Sequence, residues 1–172
     1  MNDIWQGTYT GKKIHFMDPS PDEICIADIA HALSLICRFN GHVKKFYSVA
    51  EHSLRVATIL PYEYRLQGLL HDAAEAYVMD IPRPIKRAYH LHHIEEPVTR
   101  AIFEKYGVAL PLPEDVLEAD EILIATEARD LCTNTKDWHF EKQPLPEKIH
   151  PMKCKEVNIW FLEMAYSLGI NQ

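Results

Sequence analysis

The sequence lacks any long apolar run, which excludes an ordinary membrane-spanning helix. Such a helix needs about 20 consecutive apolar residues, and no stretch of this chain approaches that length. The N-terminal stretch MNDIWQGTYTGKK also lacks the apolar segment of a signal peptide. We therefore expect a cytoplasmic protein that does not interact with a membrane.

Paired cysteines are also lacking, because Cys25, Cys37, Cys132 and Cys154 are widely scattered and form no CxxC motif. This spacing excludes a dense disulfide framework and favours free thiols in a reducing compartment. Positive charge is scarce as well: 18 Lys and Arg against 25 Asp and Glu give a net charge of −7. That balance argues against nucleic acid as the main partner, although a few local cations can still bind a small anionic substrate.

What the sequence contains is a succession of helical patterns, with apolar residues three and four positions apart. A length of 172 residues suits one compact domain, residues 1–172. A short β-hairpin around Gly11 is expected first, and DIPRPIK predicts a rigid, non-helical turn. The predicted class is all-α, with a small N-terminal hairpin. The predicted helices cover residues 22–39, 48–60, 62–78, 92–106, 116–131 and 151–169.

The clearest helix start is SVAE, in which Ser48 and Glu51 have the spacing of a capping box. The last helix is expected to direct one apolar stripe inward: Val157, Trp160, Phe161, Met164, Ala165 and Leu168. Apolar surface left on the later helices predicts a homo-oligomer.

Three ionisable residues interrupt an apolar segment, GLLHDAAEAYVMD, at residues 68–80. Burying His71, Asp72 and Glu75 without partners would be costly. On a helix, His71 and Asp72 can reach one point beside the axis, and Glu75 returns to the same face. The pattern therefore indicates a bound cation, with ligands suited to Zn²⁺, Mn²⁺ or Co²⁺. The alternative is a buried ion-pair network with a purely structural role.

Two more polar residues interrupt the predicted inner faces of other helices. His52 lies in the first turn after SVAE, and Asp120 lies within VLEADEILIATEA. With His71 and Asp72 they supply two imidazoles and two carboxylates, which can hold one divalent ion and leave positions for water and substrate. The alternatives are a plain N-terminal helix residue for His52 and a solvated acid for Asp120.

These segments resemble the HD-domain metal-dependent phosphohydrolases, whose ligand pattern is H…HD…D. The chain carries EHS, then LLHDAAEAY and DIPRPIK, then EADEILIATEA, and the resemblance extends over residues 26–131. Within that superfamily the chain is similar to small bacterial 5′-deoxynucleotidases and, through DIAHALSLICRFNGHVKKFYSVAEHS, to phage-type deoxynucleotide triphosphohydrolases that hydrolyse dATP. The resemblance implies an HD-domain helical bundle, located in the host cytoplasm if a phage encodes it.

The resemblance also assigns roles to individual residues. Glu75 and Asp80 match the acidic pair that orients or deprotonates the attacking water and handles the leaving group. Arg38 matches an arginine that contacts the substrate's phosphate or sugar, and Lys86 a basic residue near the phosphates. Phe39 stands where some relatives have Trp, a difference that bears on discrimination of the sugar. The implied metal ligands are His52, His71, Asp72 and Asp120.

Plainer interpretations of these residues stay open at this point. Glu75 could only hydrogen-bond the ligands, Asp80 could be a turn residue, and Arg38 could be a cation complementing a helix C-terminus. His31 and His42 are interpreted as structural histidines. The HLHH cluster at residues 90–93 could recruit a second metal or be a polar loop that enters a helix.

The expected function is hydrolysis of a deoxynucleotide with one divalent ion, Zn²⁺, Co²⁺, Mn²⁺ or Mg²⁺, a transition metal being favoured. A deoxynucleoside triphosphate, preferably dATP, is the leading substrate. The alternatives are a 5′-deoxynucleotidase that releases phosphate from deoxynucleoside monophosphates and a non-catalytic nucleotide-binding HD module. An oxygen-activating di-iron enzyme would need extra His ligands, which only HLHH could supply.

Overall fold

The computed structural model describes residues 4–171, so the predictions for residues 1–3 and 172 lie outside the described residues. Helices predominate, and they confirm the predicted all-α class with a small N-terminal hairpin. The elements in chain order are β1 Trp5–Gly7, β2 Lys13–His15, α1 Ile26–Leu35, α2 Val49–Ile59, α3 Arg65–Leu70, α4 Glu75–Val78, α5 Arg83–Tyr89, α6 His92–Tyr106, α7 Glu114–Leu131 and α8 Cys154–Ser167.

The hairpin pairs β1 with β2 in antiparallel register, with Gly7 opposite Lys13. Gly11 has a φ of +86° in the connecting turn, a left-handed conformation that favours glycine. The backbone N–H and the hydroxyl of Thr10 donate to the carboxylate of Asp28 over 2.6 and 2.9 Å. Since Asp28 lies on α1, these two bonds attach the hairpin to the helical body.

The main apolar core lies among α1, α2, α3, α6 and α8. Each helix contributes apolar side chains at helical spacing, such as Ile29 and Leu33 from α1 and Phe161 from α8, and these three are fully buried. A second cluster packs Val56 of α2 against Leu123 of α7. As a result, α2 lies between two apolar layers and is held firmly on both sides.

The first helix is shorter than predicted. It ends at Leu35, and Arg38 begins a separate 3-10 turn, Arg38–Gly41. The chain leaves the helix because Cys37 pairs with Ser48 in an antiparallel bridge and the N–H of Arg38 donates to Tyr47 O over 2.9 Å. The alternative interpretation of Arg38, as a cation at the C-terminus of the first helix, therefore does not hold.

The helix predicted over residues 62–78 is divided. A 3-10 turn at Tyr62–Tyr64 precedes α3, and the chain tightens between α3 and α4, where the Glu75 N–H donates to Asp72 O over 3.0 Å. Bonds of this i to i+3 kind are typical of a 3-10 geometry. His71 and Asp72 therefore lie in a tightened turn and not within a regular helix.

The prediction of a non-helical turn at DIPRPIK is also wrong. Pro82 precedes α5 and Pro84 lies in its first turn. The first turn of a helix needs no backbone N–H donors, so proline is accepted there. Lys86 accordingly lies within α5.

Other local signals give mixed results. The prediction for α6 is confirmed at both ends, with Gly107 as a left-handed C-cap. Ser48 caps α2 by accepting from the Glu51 N–H over 3.1 Å, but Glu51 does not complete the capping box, because its carboxylate binds Arg55 and the Met152 N–H. Trp160, which was predicted to lie on the inward face of α8, is 55% exposed.

Among residues 4–171, no helix has the length and apolar character needed to cross a membrane.

Candidate metal centre

Four predicted ligands come together from three parts of the fold. His52 lies in the first turn of α2, which Ser48 caps. His71 and Asp72 lie in the tightened turn after α3, and Asp120 lies on the buried side of α7. Because both apolar clusters pack against α2, they hold these elements close to His52.

The ligand atoms face one another at short range. His52 Nε2 lies 3.3 Å from His71 Nε2, 3.1 Å from Asp120 Oδ1 and 3.7 Å from Asp72 Oδ2. His71 Nε2 lies 3.2 Å from Asp72 Oδ2 and 3.9 Å from Asp120 Oδ1. His52, His71 and Asp72 form a group that could hold a metal ion, and Asp120 directs an oxygen toward the same two nitrogens.

The other ring nitrogens define the state of each imidazole. His71 Nδ1 lies 2.8 Å from the carbonyl oxygen of Gly68, which can only accept, so Nδ1 donates. His52 Nδ1 lies 2.6 Å from Glu127 Oε1 and donates to that carboxylate in the same way. In the neutral rings both Nε2 atoms therefore keep a lone pair for a cation.

The electrostatics match a site built for positive charge. Burial and Arg38 oppose protonation of His52, but Glu127 and Asp120 raise its pKa to about 9. Burial also opposes ionisation of Asp120, but His52 and His71 lower its pKa to about 2. Without a metal, a proton on His52 balances part of the carboxylate charge, and a metal ion would have to displace that proton.

Glu75 and Asp80, the predicted acid and base, lie beside this group. Burial raises the pKa of Glu75 well above its ordinary value, and the charges of Asp72 and Asp80 raise it further. Burial is likewise the largest cause of the raised pKa of Asp80. Glu75 Oε1 accepts from Lys86 Nζ over 3.2 Å, whereas Oε2 has no hydrogen-bond partner among the residues that the structure describes. Glu75 is thus better suited to hold a proton than an exposed glutamate is.

Arg38 is near the centre but turned inward. Its Nη1 lies 3.3 Å from Asp72 Oδ2 and its Nη2 lies 3.2 Å from Glu127 Oε2, and the residue is only 7% exposed. Its Nε is buried without a partner in the described part of the chain. Phe39 follows with a φ of +54° and lies 6.0 Å, between ring centroids, from Trp138.

Helix α5 lies beside the cluster and contributes two cations. Lys86 Nζ bonds Glu75 and lies 2.6 Å from Glu95 Oε1, and these carboxylates raise its pKa although burial opposes this. Arg83 pairs with Asp120 Oδ2 and lies 2.5 Å from Glu121 Oε1. Lys86, which was predicted to lie near the phosphates, therefore lies beside the cluster, and so does Arg83, which was not predicted.

The histidines of the HLHH cluster lie outside the candidate metal centre. His90, His92 and His93 are exposed, and none belongs to the metal-capable group found among residues 4–171. His93 Nδ1 instead donates to the His90 carbonyl over 2.8 Å. His31 stacks on Tyr9 with ring centroids 3.7 Å apart. The four cysteines are free.

Sequence reasoning missed Glu127, which is fully buried and touches both His52 and Arg38. Glu127 lies two helical turns after Asp120, on the same face of α7. An acid at that spacing within an apolar helix was the available signal.

Fold and site together define a mostly helical protein with a buried His and carboxylate cluster that could hold a metal ion. No family model matches the chain. It is 44% identical over 125 residues to the uncharacterized protein YfdR of Escherichia coli (strain K12), a match that covers 72% of this chain and 70% of YfdR. It is 34% identical over 140 residues to the uncharacterized protein RCAP_rcc00048 of Rhodobacter capsulatus, covering 75% and 71% of the two chains. The chain belongs to the family of YfdR.

Proposed function

We propose that the protein is an HD-domain metal-dependent phosphohydrolase of deoxynucleotides, and that its substrate is a deoxynucleoside triphosphate, preferably dATP. The observation that carries the proposal is the convergence of His52 Nε2, His71 Nε2, Asp72 Oδ2 and Asp120 Oδ1 on one point. The order of these residues along the chain is the H…HD…D order of that superfamily. The choice of dATP rests on the resemblance of the segment around Arg38 to the phage-type enzymes.

Two imidazole nitrogens and two carboxylate oxygens suit a divalent transition metal, and they leave positions for water and substrate. Such an ion, when bound, supplies Lewis-acid chemistry and a lowered pKa for water.

Glu75 provides acid–base chemistry in this proposal. Its raised pKa and its buried, unpartnered Oε2 allow it to take a proton and return one to the leaving group. A positioned acid or base of this kind contributes about 10²–10⁴-fold to rate. Asp80, whose pKa is also raised by burial, is the second acid in this proposal.

The cations of the site would meet the substrate's negative charge. Lys86 is held against Glu75 and Glu95, and Arg83 is half exposed beside Asp120. Arg38 is only 7% exposed and donates from each Nη to a carboxylate, so little of its guanidinium is open to the substrate. Lys86 and Arg83 are therefore the main phosphate-binding residues in this proposal.

The test is to incubate the purified protein with each deoxynucleoside mono- and triphosphate and with Co²⁺, Zn²⁺, Mn²⁺ or Mg²⁺, and to separate the products by chromatography. We expect deoxyadenosine and triphosphate from dATP. If only the monophosphates react, and they release phosphate, the protein is a 5′-deoxynucleotidase and dATP is not its substrate. No turnover of any nucleotide, with Asp72→Ala indistinguishable from wild type, would reject the catalytic function.

Two variants sharpen the test. Glu75→Gln should lower turnover about 10²–10⁴-fold while the metal content, measured by atomic emission, stays at the wild-type level. Asp18→Ala, at an exposed aspartate outside the site, is the matched control for Asp72→Ala and should keep full activity. Equal turnover by wild type and Glu75→Gln would remove Glu75 from the acid–base role.

A further inference from the structure

Glu127 belongs to a chain of hydrogen bonds that connects His52 with Asp72. Its Oε1 accepts from His52 Nδ1 over 2.6 Å, and its Oε2 accepts from Arg38 Nη2 over 3.2 Å. The other terminal nitrogen of Arg38, Nη1, donates to Asp72 Oδ2 over 3.3 Å. Both side chains of the Glu127–Arg38 pair are almost fully removed from solvent. The path thus runs from one metal-capable residue to another through a buried ion pair.

Stability alone is a poor reason for this pair. A buried ion pair costs desolvation that its attraction seldom repays with a surplus, and apolar residues of similar volume are often at least as stabilising. Arg38 Nε also stays buried without a partner among the described residues, which adds to that cost. A role for the pair at the site accounts for the arrangement better.

The geometry gives Glu127 such a role. An ionised carboxylate offers only acceptors, so it requires His52 to donate from Nδ1 and leaves Nε2 free for a cation. The short bond also fixes the rotation of the imidazole ring. The planar guanidinium of Arg38 fixes Glu127 and Asp72 relative to each other, because its two Nη groups lie in one rigid plane.

We infer that Glu127 is a positioning residue of the metal centre, which holds His52 in its metal-binding form directly and Asp72 through Arg38. The inference rests on the metal site of the proposed function and is independent of which substrate is hydrolysed. In this inference the main role of Arg38 is to hold Asp72 and Glu127 in place, before any contact with a substrate.

The experiment measures metal binding. Metal-free wild type and Glu127→Gln are titrated with Zn²⁺ by calorimetry at one pH, and the visible absorption of Co²⁺-loaded samples is compared. We expect Zn²⁺ affinity to fall about 10–100-fold, the usual cost of losing such an outer partner. The Co²⁺ absorption bands should also shift. Replacing a residue that only stabilises the fold would leave these bands unchanged, provided that the variant is folded.

Two further variants complete the design. Glu118→Gln, at an exposed carboxylate on the same helix that pairs with Lys142, should bind both metals as the wild type does. Glu127→Gln combined with Arg38→Met removes both charges together, so it leaves no unpaired buried ion if the single variant fails to fold. We expect this double variant to fold, by circular dichroism, and to bind Zn²⁺ at least as weakly as Glu127→Gln.

Wild-type Zn²⁺ affinity and unchanged Co²⁺ bands in Glu127→Gln, or in the double variant if the single one does not fold, would overturn the role of Glu127. That result would leave the proposed hydrolysis untouched. Conversely, tight Zn²⁺ binding by a wild type that hydrolyses no nucleotide would reject the proposed function and leave the role of Glu127 standing.

Discussion

Replacing Gly68 by alanine should push α3 away from α2. A Cβ at this position would overlap Leu60 Cδ1 and would lie 3.2 and 3.3 Å from Cα and N of Ala57. The end of the Leu60 side chain can rotate away, but the backbone of Ala57 can move only together with α2. The Gly68 carbonyl accepts from His71 Nδ1 over 2.8 Å, so a displaced α3 would also carry His71 away from His52.

Two opposing effects decide how far Gly68→Ala changes the free energy of unfolding. Crowding a packed interior costs about 1–3 kcal/mol, whereas alanine in place of glycine within a helix gains about 1 kcal/mol. We expect a net loss of about 1 kcal/mol in the free energy of unfolding. For a chain of this length, that loss lowers Tm by about 2–4 °C.

Urea denaturation of the metal-free protein measures the stability change, and a Zn²⁺ titration measures the displacement of His71. Gly7→Ala is the matched control, because a Cβ at Gly7 would meet nothing within 4 Å, and it should alter neither quantity. A Gly68→Ala protein as stable as the wild type, with unchanged Zn²⁺ affinity, would refute the close-approach argument.

Three other predictions follow from the local chemistry. Ser48→Ala removes the oxygen that accepts from the Glu51 N–H and should lower the free energy of unfolding by about 0.5–2 kcal/mol; an unchanged urea midpoint would contradict the cap. His52, with a pKa of about 9, must lose a proton to bind metal, so Zn²⁺ affinity should rise about tenfold per pH unit below that value, and a flat profile from pH 6 to 8 would count against this. Hydrogen bonding from Arg129 lowers the pKa of Asp130, so this carboxylate stabilises the fold above its unfolded pKa and ceases to do so as pH falls through the folded one. Asp130→Asn should therefore have a lower free energy of unfolding than the wild type, measured in urea, and this difference should shrink below about pH 4. A difference that stays constant with pH would contradict the role of this carboxylate.

Local chemistry made some elements predictable from the sequence. The C-terminal end of α6 carries its own signal, and Gly107 could be assigned because a left-handed residue that ends a helix is most often glycine. The four predicted ligands could be found as polar residues that interrupt apolar faces. His52 and Asp120 were placed in this way without any knowledge of their neighbours.

Other features depend on contacts made only in the folded chain. Nothing in GLLHDAAEAYVMD marks the tightening at His71, because the apolar pattern continues through it. Arg38 leaves α1 because a distant segment pairs with Cys37, which no local pattern records. Glu127 looks like an ordinary acid near a helix end until the fold places His52 against it.

The attachment of α5 has a consequence for how this helix responds to salt. None of the residues of α5, all of which the structure describes, is buried, and the helix is fastened by Arg83 to carboxylates of α7 and by Lys86 to carboxylates of α4 and α6. Dissolved ions screen exposed charge pairs far more than they weaken apolar packing. Arg83 is 46% exposed and Lys86 only 12%, so rising ionic strength should release the Arg83 end first. Rising salt would then loosen the Arg83 end of α5, while the helices of the core, which are held by apolar packing, stay in place.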